Sequence, residues 1–303
     1  MPHYDLIIVG TGSAGLPAGM YASRYKIKNL VIGKEPGGAL ATSHRVENWP
    51  GELGASGADI MGRFEAHAKA SGSEVLYGSV ASITTPKPHF FEVKTEAGEA
   101  FTSDFVILAT GNGYKHLGVP GEDRLLGAGV SYCATCDGNF FRKKEVVMVG
   151  GGDAAFTEAL YLAELCAKVT ILIRGSAARA EDIWVDKAKS NPKVEIRYNA
   201  VPTEIVGQNK VEGIQLKDGS VVKCDGVFVA IGSLPQTSLV DHLGVAKDET
   251  GCIVVDSAQR TNVPGLFAAG DITTGSHKFR QTIMSAAEGC LAAHCVHEEM
   301  LKR

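Results

Sequence analysis

An apolar run that ends in a glycine turn and continues into a helix occurs twice in this chain, 140 residues apart. The first copy reads Asp5-Leu6-Ile7-Ile8-Val9-Gly10-Thr11-Gly12-Ser13-Ala14-Gly15, followed by a helix-forming stretch from Leu16 to Tyr25 and a second apolar run, Asn29-Leu30-Val31-Ile32. The second reads Glu145-Val146-Val147-Met148-Val149-Gly150-Gly151-Gly152-Asp153-Ala154-Ala155, so Gly10 maps to Gly150, Gly12 to Gly152, Gly15 to Ala155 and Tyr21 to Tyr161. A lone Gly-x-Gly-x-x-Gly says little. Two in register, each followed by a helix and a strand, specify a unit in which a pyrophosphate sits on the helix N-terminus. The first glycine permits the tight turn, the second lets backbone approach the phosphates, and the third lets the helix pack on the strand.

The repeat extends further. Asp104-Phe105-Val106-Ile107-Leu108-Ala109-Thr110-Gly111 resembles Asp225-Gly226-Val227-Phe228-Val229-Ala230-Ile231-Gly232, now at an offset of 121. Much of the extra length of the first copy is expected in Pro36 to Asp59, which contains Val46-Glu47-Asn48-Trp49-Pro50-Gly51. An insertion near strand ends can wrap a larger ligand, so the first copy is expected to hold the bulkier dinucleotide. After the second copy comes Val263-Pro264-Gly265-Leu266-Phe267-Ala268-Ala269-Gly270-Asp271, a short strand whose Gly-Asp end can set backbone and a carboxylate against a ribityl or phosphate group. The expected fold class is α/β, with two Rossmann-like dinucleotide-binding domains, the second inserted into the first. Residues 1–115 and 245–303 would form the discontinuous domain and 116–244 the inserted one.

Between the two glycine turns lies Cys133-Ala134-Thr135-Cys136, followed at once by Asp137. Two thiols at this spacing can close a small disulphide ring, and the adjacent carboxylate can move the proton that disulphide exchange requires. The other cysteines, at 166, 224, 252, 290 and 295, are widely spaced, unlike a secreted disulphide framework. Cys166, Cys224 and Cys252 read as small core residues, and Cys290 and Cys295 fall on different faces of a C-terminal helix. A zinc site would need a second Cys or His pair of matching spacing, and there is none, so no metal is expected. A redox-active pair is the preferred reading.

With 303 residues the chain can build two cores, and a net charge of -4 gives no reason to expect nucleic acid. It holds no run of about eighteen uninterrupted apolar residues, so no membrane span is expected. A strand begins directly after Met1-Pro2-His3-Tyr4-Asp5, leaving no room for a signal peptide, and a cytoplasmic location is expected.

Together these landmarks, with Arg280-Gln281, closely resemble the low-molecular-weight thioredoxin reductases over essentially the whole chain. The cysteine motif with its following Asp-Gly is the most specific of them. The resemblance implies FAD in the discontinuous domain, NADPH in the inserted one, a homodimer, and electron passage through FAD and Cys133–Cys136 to the disulphide of thioredoxin or a thioredoxin-like protein. It places Gly10, Gly12 and Gly15 on the FAD pyrophosphate, Gly38 and Asn48 along the cofactor, and Ala109, Thr110 and Gly111 beside it. Asp271 would bind the ribityl end, with Arg280 and Gln281 near the flavin ring. In the inserted domain Gly150, Gly152, Asp153 and Ala155, with Ile231 and Gly232, would line NADPH. Cys136 would face the flavin, Cys133 would attack the partner, and Asp137 would shuttle the proton. An unperturbed thiol is mostly protonated at neutral pH, so the site must favour the thiolate.

Two departures stand out. The second strand of the first copy ends at Gly33, with no acidic residue for an adenosine ribose, and Glu35 is not assigned that role. The family's His-Arg-Arg, with a further Arg, grips the NADPH 2′-phosphate; here the stretch reads Ile173-Arg174-Gly175-Ser176-Ala177-Ala178-Arg179. Arg174 and Arg179 can still clamp a phosphate, so NADPH is favoured over NADH. Another electron donor, an oxygen-dependent small-molecule dithiol oxidase, and a non-catalytic flavin-bound redox sensor are the alternatives. The intact second glycine turn and retained arginines argue against the oxidase.

Overall fold

Each apolar run becomes a strand of a buried sheet. The structure, a computed structural model, describes residues 1–42, 46 and 48–303; Glu47 lies outside the described residues, and the side chains of Thr42, Cys136, Ser233, Leu234 and Lys278 lie outside the description. The chain divides into unit 1, Met1–Gly113 with Pro235–Arg303, and unit 2, Tyr114–Leu234.

In unit 1, β1 (His3–Val9), α1 (Gly15–Arg24) and β2 (Asn29–Gly33) are followed by α2 (Gly57–Ser71), β3 (Glu74–Tyr77), β4 (Val80–Lys87), β5 (Phe90–Thr95) and β6 (Ala100–Leu108). The sheet order is β3-β2-β1-β6-β5-β4. Strands β3, β2, β1 and β6 run parallel, while β5 and β4 are antiparallel additions. Both faces are covered, which is why these strands read as unbroken apolar runs. Leu6, Ile8, Phe105 and Ile107 enter one core with α1, and the alternate residues Ile7, Val9, Val106 and Leu108 enter the other. Helix α2 starts where Ser56 Oγ accepts the Asp59 N–H at 3.1 Å and stops at Gly72, whose φ of 111° ends the helix in the left-handed region.

The chain passes through β7 (Asn112–Tyr114) into unit 2. Its elements are β8 (Val130–Ser131), α3 (Ala134–Asp137), β9 (Glu145–Val149), α4 (Asp153–Leu165), β10 (Lys168–Leu172), α5 (Asp182–Ser190), β11 (Val194–Arg197), β12 (Pro202–Val206), β13 (Gly213–Leu216), β14 (Val221–Lys223) and β15 (Gly226–Val229). A parallel sheet of order β11-β10-β9-β15-β8 is joined by the antiparallel β12-β13-β14. The chain returns through β16 (Ser233–Pro235) to unit 1, where β17 (Leu266–Ala268) adds parallel to β6 and α6 (Thr282–Met300) packs on α1.

The repeat is visible bond by bond. Gly10 N–H donates to Ile32 O at 2.6 Å and Gly150 N–H to Leu172 O at 3.1 Å; Ala109 N–H donates to Val9 O at 2.7 Å and Ala230 N–H to Val149 O at 2.8 Å. Residues 235–244, which the sequence reading assigned to the inserted domain, fall in unit 1. The short 3-10 turn Ser238–Leu243 sends fully buried Val240 into the core beside Ile7, Val9 and Ile253. No repeat landmark follows Gly232, so the sequence held no marker for that junction.

Candidate active site

The glycines of the two turns separate into two kinds. A Cβ on Gly10 would overlap the Ala109 carbonyl oxygen, one on Gly15 the Gly10 carbonyl oxygen, and one on Gly150 the Ala230 carbonyl oxygen. These three are required by the protein's own packing. By contrast, a Cβ on Gly12 would come no closer than 3.9 Å to Gly38 Cα, and around Gly152 and Gly111 there is open space within 4 Å. Bare backbone at the head of a helix, with open space at its Cβ positions among the described residues, is a cradle suited to a pyrophosphate. Both units carry one.

Gly33 also has a steric reason: a Cβ there would overlap the Thr11 hydroxyl, which itself donates to Glu35 O at 2.7 Å. The Glu35 carbonyl is thereby tied to the first glycine turn.

Around the unit 1 cradle, residues far apart in sequence come together. Gly38 opens a 3-10 turn, Gly38–Thr42, and its Cβ position lies 3.0 Å from Gly12 Cα. Asn48 Nδ2 donates to Gln281 Oε1 at 2.7 Å, and Arg280 Nη2 donates to Cys252 Sγ at 3.3 Å. The Thr110 hydroxyl is spent inside unit 1 on Gln236 O. Asp271 is raised above the usual carboxylate range by burial, opposed by the Ser285 hydroxyl at 3.2 Å and the charge of Arg280. Glu288 escaped the sequence reading. It is buried on α6 and accepts from Gly270 N–H at 2.8 Å and the Thr273 hydroxyl at 3.0 Å, fixing the loop that presents Asp271. A carboxylate alone in the small apolar stretch Ser285-Ala286-Ala287-Glu288-Gly289 was the available signal.

In unit 2 the half-buried Cys133 is disulphide-bonded, and the side chain of Cys136 lies outside the description. Cys133 N–H donates to Ser131 Oγ at 3.0 Å, and its sulphur lies 3.3 Å from Thr135 Oγ1. Asp137 N–H closes the turn onto Cys133 O at 3.2 Å. A Cβ on Gly138 would come within 3.0–3.2 Å of Leu162, Leu165 and Tyr161, so the turn is pressed onto α4. Tyr132, just before Cys133, donates its hydroxyl to buried Glu122 at 2.6 Å. The five remaining cysteines are free thiols, all buried except the half-buried Cys290. Burial pushes Cys166 up to about 11, Cys224 to about 12 and Cys290 to about 11, which suppresses their thiolates. Among the described residues no three His, Cys, Asp or Glu side chains converge to hold a metal.

At the second cradle Arg179 N–H donates to Gly151 O at 2.6 Å, which holds the 174–179 loop against the glycine turn, while Arg174 and Arg179 are both exposed. Ile173 is buried, with its Cγ2 3.1 Å from the Cβ position of Gly151. The Asp153 carboxylate accepts Glu181 N–H at 2.8 Å, before α5. Ala155 takes the place of the third glycine and is fully buried, while Ile231 and Gly232 follow β15 as Thr110 and Gly111 follow β6.

Fold and site thus define a two-unit enzyme of the oxidoreductase class, each unit with a dinucleotide cradle and one carrying a disulphide. The family model for pyridine nucleotide-disulphide oxidoreductases matches residues 4–290, and the chain belongs to that family. The thioredoxin reductase of Treponema pallidum (strain Nichols) is 42% identical over 298 residues, 96% of this chain and 95% of that protein. A glucosaminate ammonia-lyase of Pseudomonas fluorescens is 41% identical over 307 residues, 96% of this chain and 94% of that protein. The crystal structure of Lactococcus lactis thioredoxin reductase superposes with a TM-score of 0.92 at 34% identity, covering 99% of this chain and 100% of that one. No helix among the described residues is long and apolar enough to cross a membrane.

Proposed function

We propose that this chain is an NADPH-dependent flavoprotein disulphide reductase acting on thioredoxin or a thioredoxin-like protein, as a homodimer. FAD would occupy unit 1 and the nicotinamide nucleotide unit 2, with Cys133–Cys136 as the redox pair. The observation that carries the reading is the disulphide-bonded Cys133 on a turn seated in a unit with its own dinucleotide cradle. FAD, when bound, supplies two-electron transfer between a nicotinamide and a disulphide.

The residues divide the remaining work. Gly12 and Gly38 would give backbone access to the pyrophosphate, Asp271 would hold the ribityl chain, and Asn48, Arg280 and Gln281 would lie toward the ring. In the reduced enzyme the Cys133 thiolate attacks one sulphur of the partner disulphide. A Cys133–partner bond forms as the partner's bond breaks, and the departing sulphur takes a proton from Asp137. Cys136, passing its proton to the Asp137 carboxylate, then attacks Cys133; the second partner sulphur departs and takes that proton from Asp137, and the enzyme disulphide is restored. Electrons and sulphurs balance: one disulphide is consumed and one is formed.

A second reading, use of a nucleotide without the 2′-phosphate, is favoured by buried Ile173 and by Gly175 where a histidine and an arginine would contribute charge. Steady-state reduction of thioredoxin, coupled to insulin and run with NADPH and with NADH, tests both readings. Equal efficiency removes the NADPH preference. Absence of thioredoxin reduction with either nucleotide, or a Cys133→Ser variant working at full rate, overturns the main reading.

A further inference from the structure

Helix α4 carries a carboxyl group that the exchange chemistry leaves unused. Glu158 lies one turn into α4, half-buried, and accepts a hydrogen bond from the backbone N–H of Ala134. Ala134 is the residue after Cys133; it is itself buried and belongs to the apolar cluster with Phe156, Ala159 and Leu162 of α4. The close fit of Gly138 on Leu162, Leu165 and Tyr161 holds the whole cysteine turn against this helix. Glu158 is therefore the carboxyl group built into the seat of the turn, whereas Asp137 sits on the turn itself.

We propose that Glu158 is a positioning residue for the redox pair: it fixes the turn through Ala134 N–H, and it takes up a proton when the pair is reduced. This rests on the reading of Cys133–Cys136 as a dithiol couple. Opening the disulphide consumes two electrons and two protons. If one sulphur is kept as the attacking thiolate, one proton goes to the other sulphur and the second is held by a carboxylate: Glu158 stores it, and Asp137 relays it to the departing sulphur during exchange. The balanced step is disulphide plus Glu158 carboxylate plus two electrons and two protons giving one thiol, one thiolate and the Glu158 carboxylic acid, with a dithiol as reductant in the test below. A thiolate next to the turn disfavours a second negative charge there, which drives the proton onto Glu158.

The environment suits this role. Burial pushes Glu158 up to about 7, against the opposing Ala134 N–H. The charged or titratable groups on the packed elements are Asp137 on α3 and Arg142 after the turn; Asp153, Tyr161 and Glu164 on α4; Asp182, Asp186, Lys187 and Lys189 on α5; Glu145 on β9; Lys168 on β10; and Glu195 and Arg197 on β11. Lys168 and Arg197 are each paired with Glu195.

The test is the midpoint potential of the Cys133–Cys136 couple in the flavin-loaded full-length protein, measured across neutral pH. The protein is equilibrated with reduced and oxidised dithiothreitol, quenched by alkylation, and read by the mass of the peptide that carries the pair. In the unmodified protein the line of potential against pH should change slope where Glu158 ionises. Glu158→Gln, which keeps the hydrogen-bond acceptor but cannot take the proton, should lose that change of slope, and Glu158→Asp should restore one. An unchanged break in Glu158→Gln overturns the proposal while leaving the dithiol reading intact. A pair that does not interconvert even in the unmodified protein overturns both. Should Glu158→Gln not fold, difference infrared spectra of Asp137→Asn decide: reduction should increase the protonated-carboxyl band, and its absence overturns the proposal.

Discussion

The backbone N–H of Gly270 donates to Glu288 Oε2 at 2.8 Å, and the Thr273 hydroxyl reaches the same oxygen at 3.0 Å. One buried carboxylate on α6 therefore holds both ends of the loop that presents Asp271. Glu288→Ala would leave a buried N–H without a partner, a loss of about 1–3 kcal/mol. Expected outcomes are a lower melting temperature and loss of bound flavin on dialysis, read from visible absorbance. Glu288→Gln keeps an acceptor and should lose less of both.

Gly12 and Gly15 should respond oppositely to alanine. At Gly15 the methyl would overlap the Gly10 carbonyl, so Gly15→Ala should destabilise the protein even without ligand, by about 1–3 kcal/mol or more. At Gly12 the methyl enters open space, so Gly12→Ala should leave the melting temperature of the flavin-free protein unchanged and weaken FAD binding. Calorimetry with and without FAD separates the two. In unit 2, Gly152→Ala should raise KM for the nicotinamide nucleotide and leave the fold alone.

The 174–179 loop has room for a restored charge. The nearest atom to a Cβ on Gly175 is Ala177 O at 3.9 Å. A charge-assisted contact contributes about 1.5–3 kcal/mol, so Gly175→Arg should raise kcat/KM for NADPH by about tenfold or more. Arg174→Ala should lower it by a similar factor. Neither change should move kcat/KM for NADH, and a parallel shift for both nucleotides would contradict a 2′-phosphate role.

Glu122 sets an acid limit on unit 2. Burial by itself would raise its pKa. The hydroxyl of Tyr132 at 2.6 Å and the N–H groups of Leu117 at 2.8 Å and Gly118 at 2.7 Å outweigh burial and lower it. A carboxylate with a depressed folded pKa stabilises above its unfolded value, about 4.3, and loses that contribution as pH falls through the folded value. Melting temperature should therefore fall with acidification below about pH 4. In Glu122→Gln the fall should be smaller, with a lower starting stability at neutral pH.

The duplicated unit was legible in the sequence because its signals are local: a strand-length apolar run, then glycines at fixed spacing. The same locality made Gly10, Gly12, Gly150 and Gly152 readable as a set. It did not reveal that Gly10 and Gly15 answer to neighbouring carbonyls while Gly12 answers to empty space, since that division depends on what the fold brings opposite each one. Gly33 looked like a missing acidic residue and is a contact with Thr11. Glu288 and Glu158 were invisible as partners because each bonds a backbone N–H, and a backbone N–H has no letter in the sequence. The unit junction near Pro235 was missed because Val240 joins its core through a single 3-10 turn.

The insertion of unit 2 into unit 1 fixes an order of events during synthesis. Residues 114–234 form a unit whose sheet and hydrophobic clusters draw on no later part of the chain, so it can fold as soon as it emerges from the ribosome. Unit 1 begins first yet finishes last. Its β17 pairs with β6 through Leu266 and Val106, and its core against α1 needs Ala292, Ala293 and Val296 near the C-terminus. Until those residues are made, the first glycine turn has strands on either side of it but no α6 behind α1. The cradle that opens the sequence is thus completed only by a helix that follows the whole of unit 2.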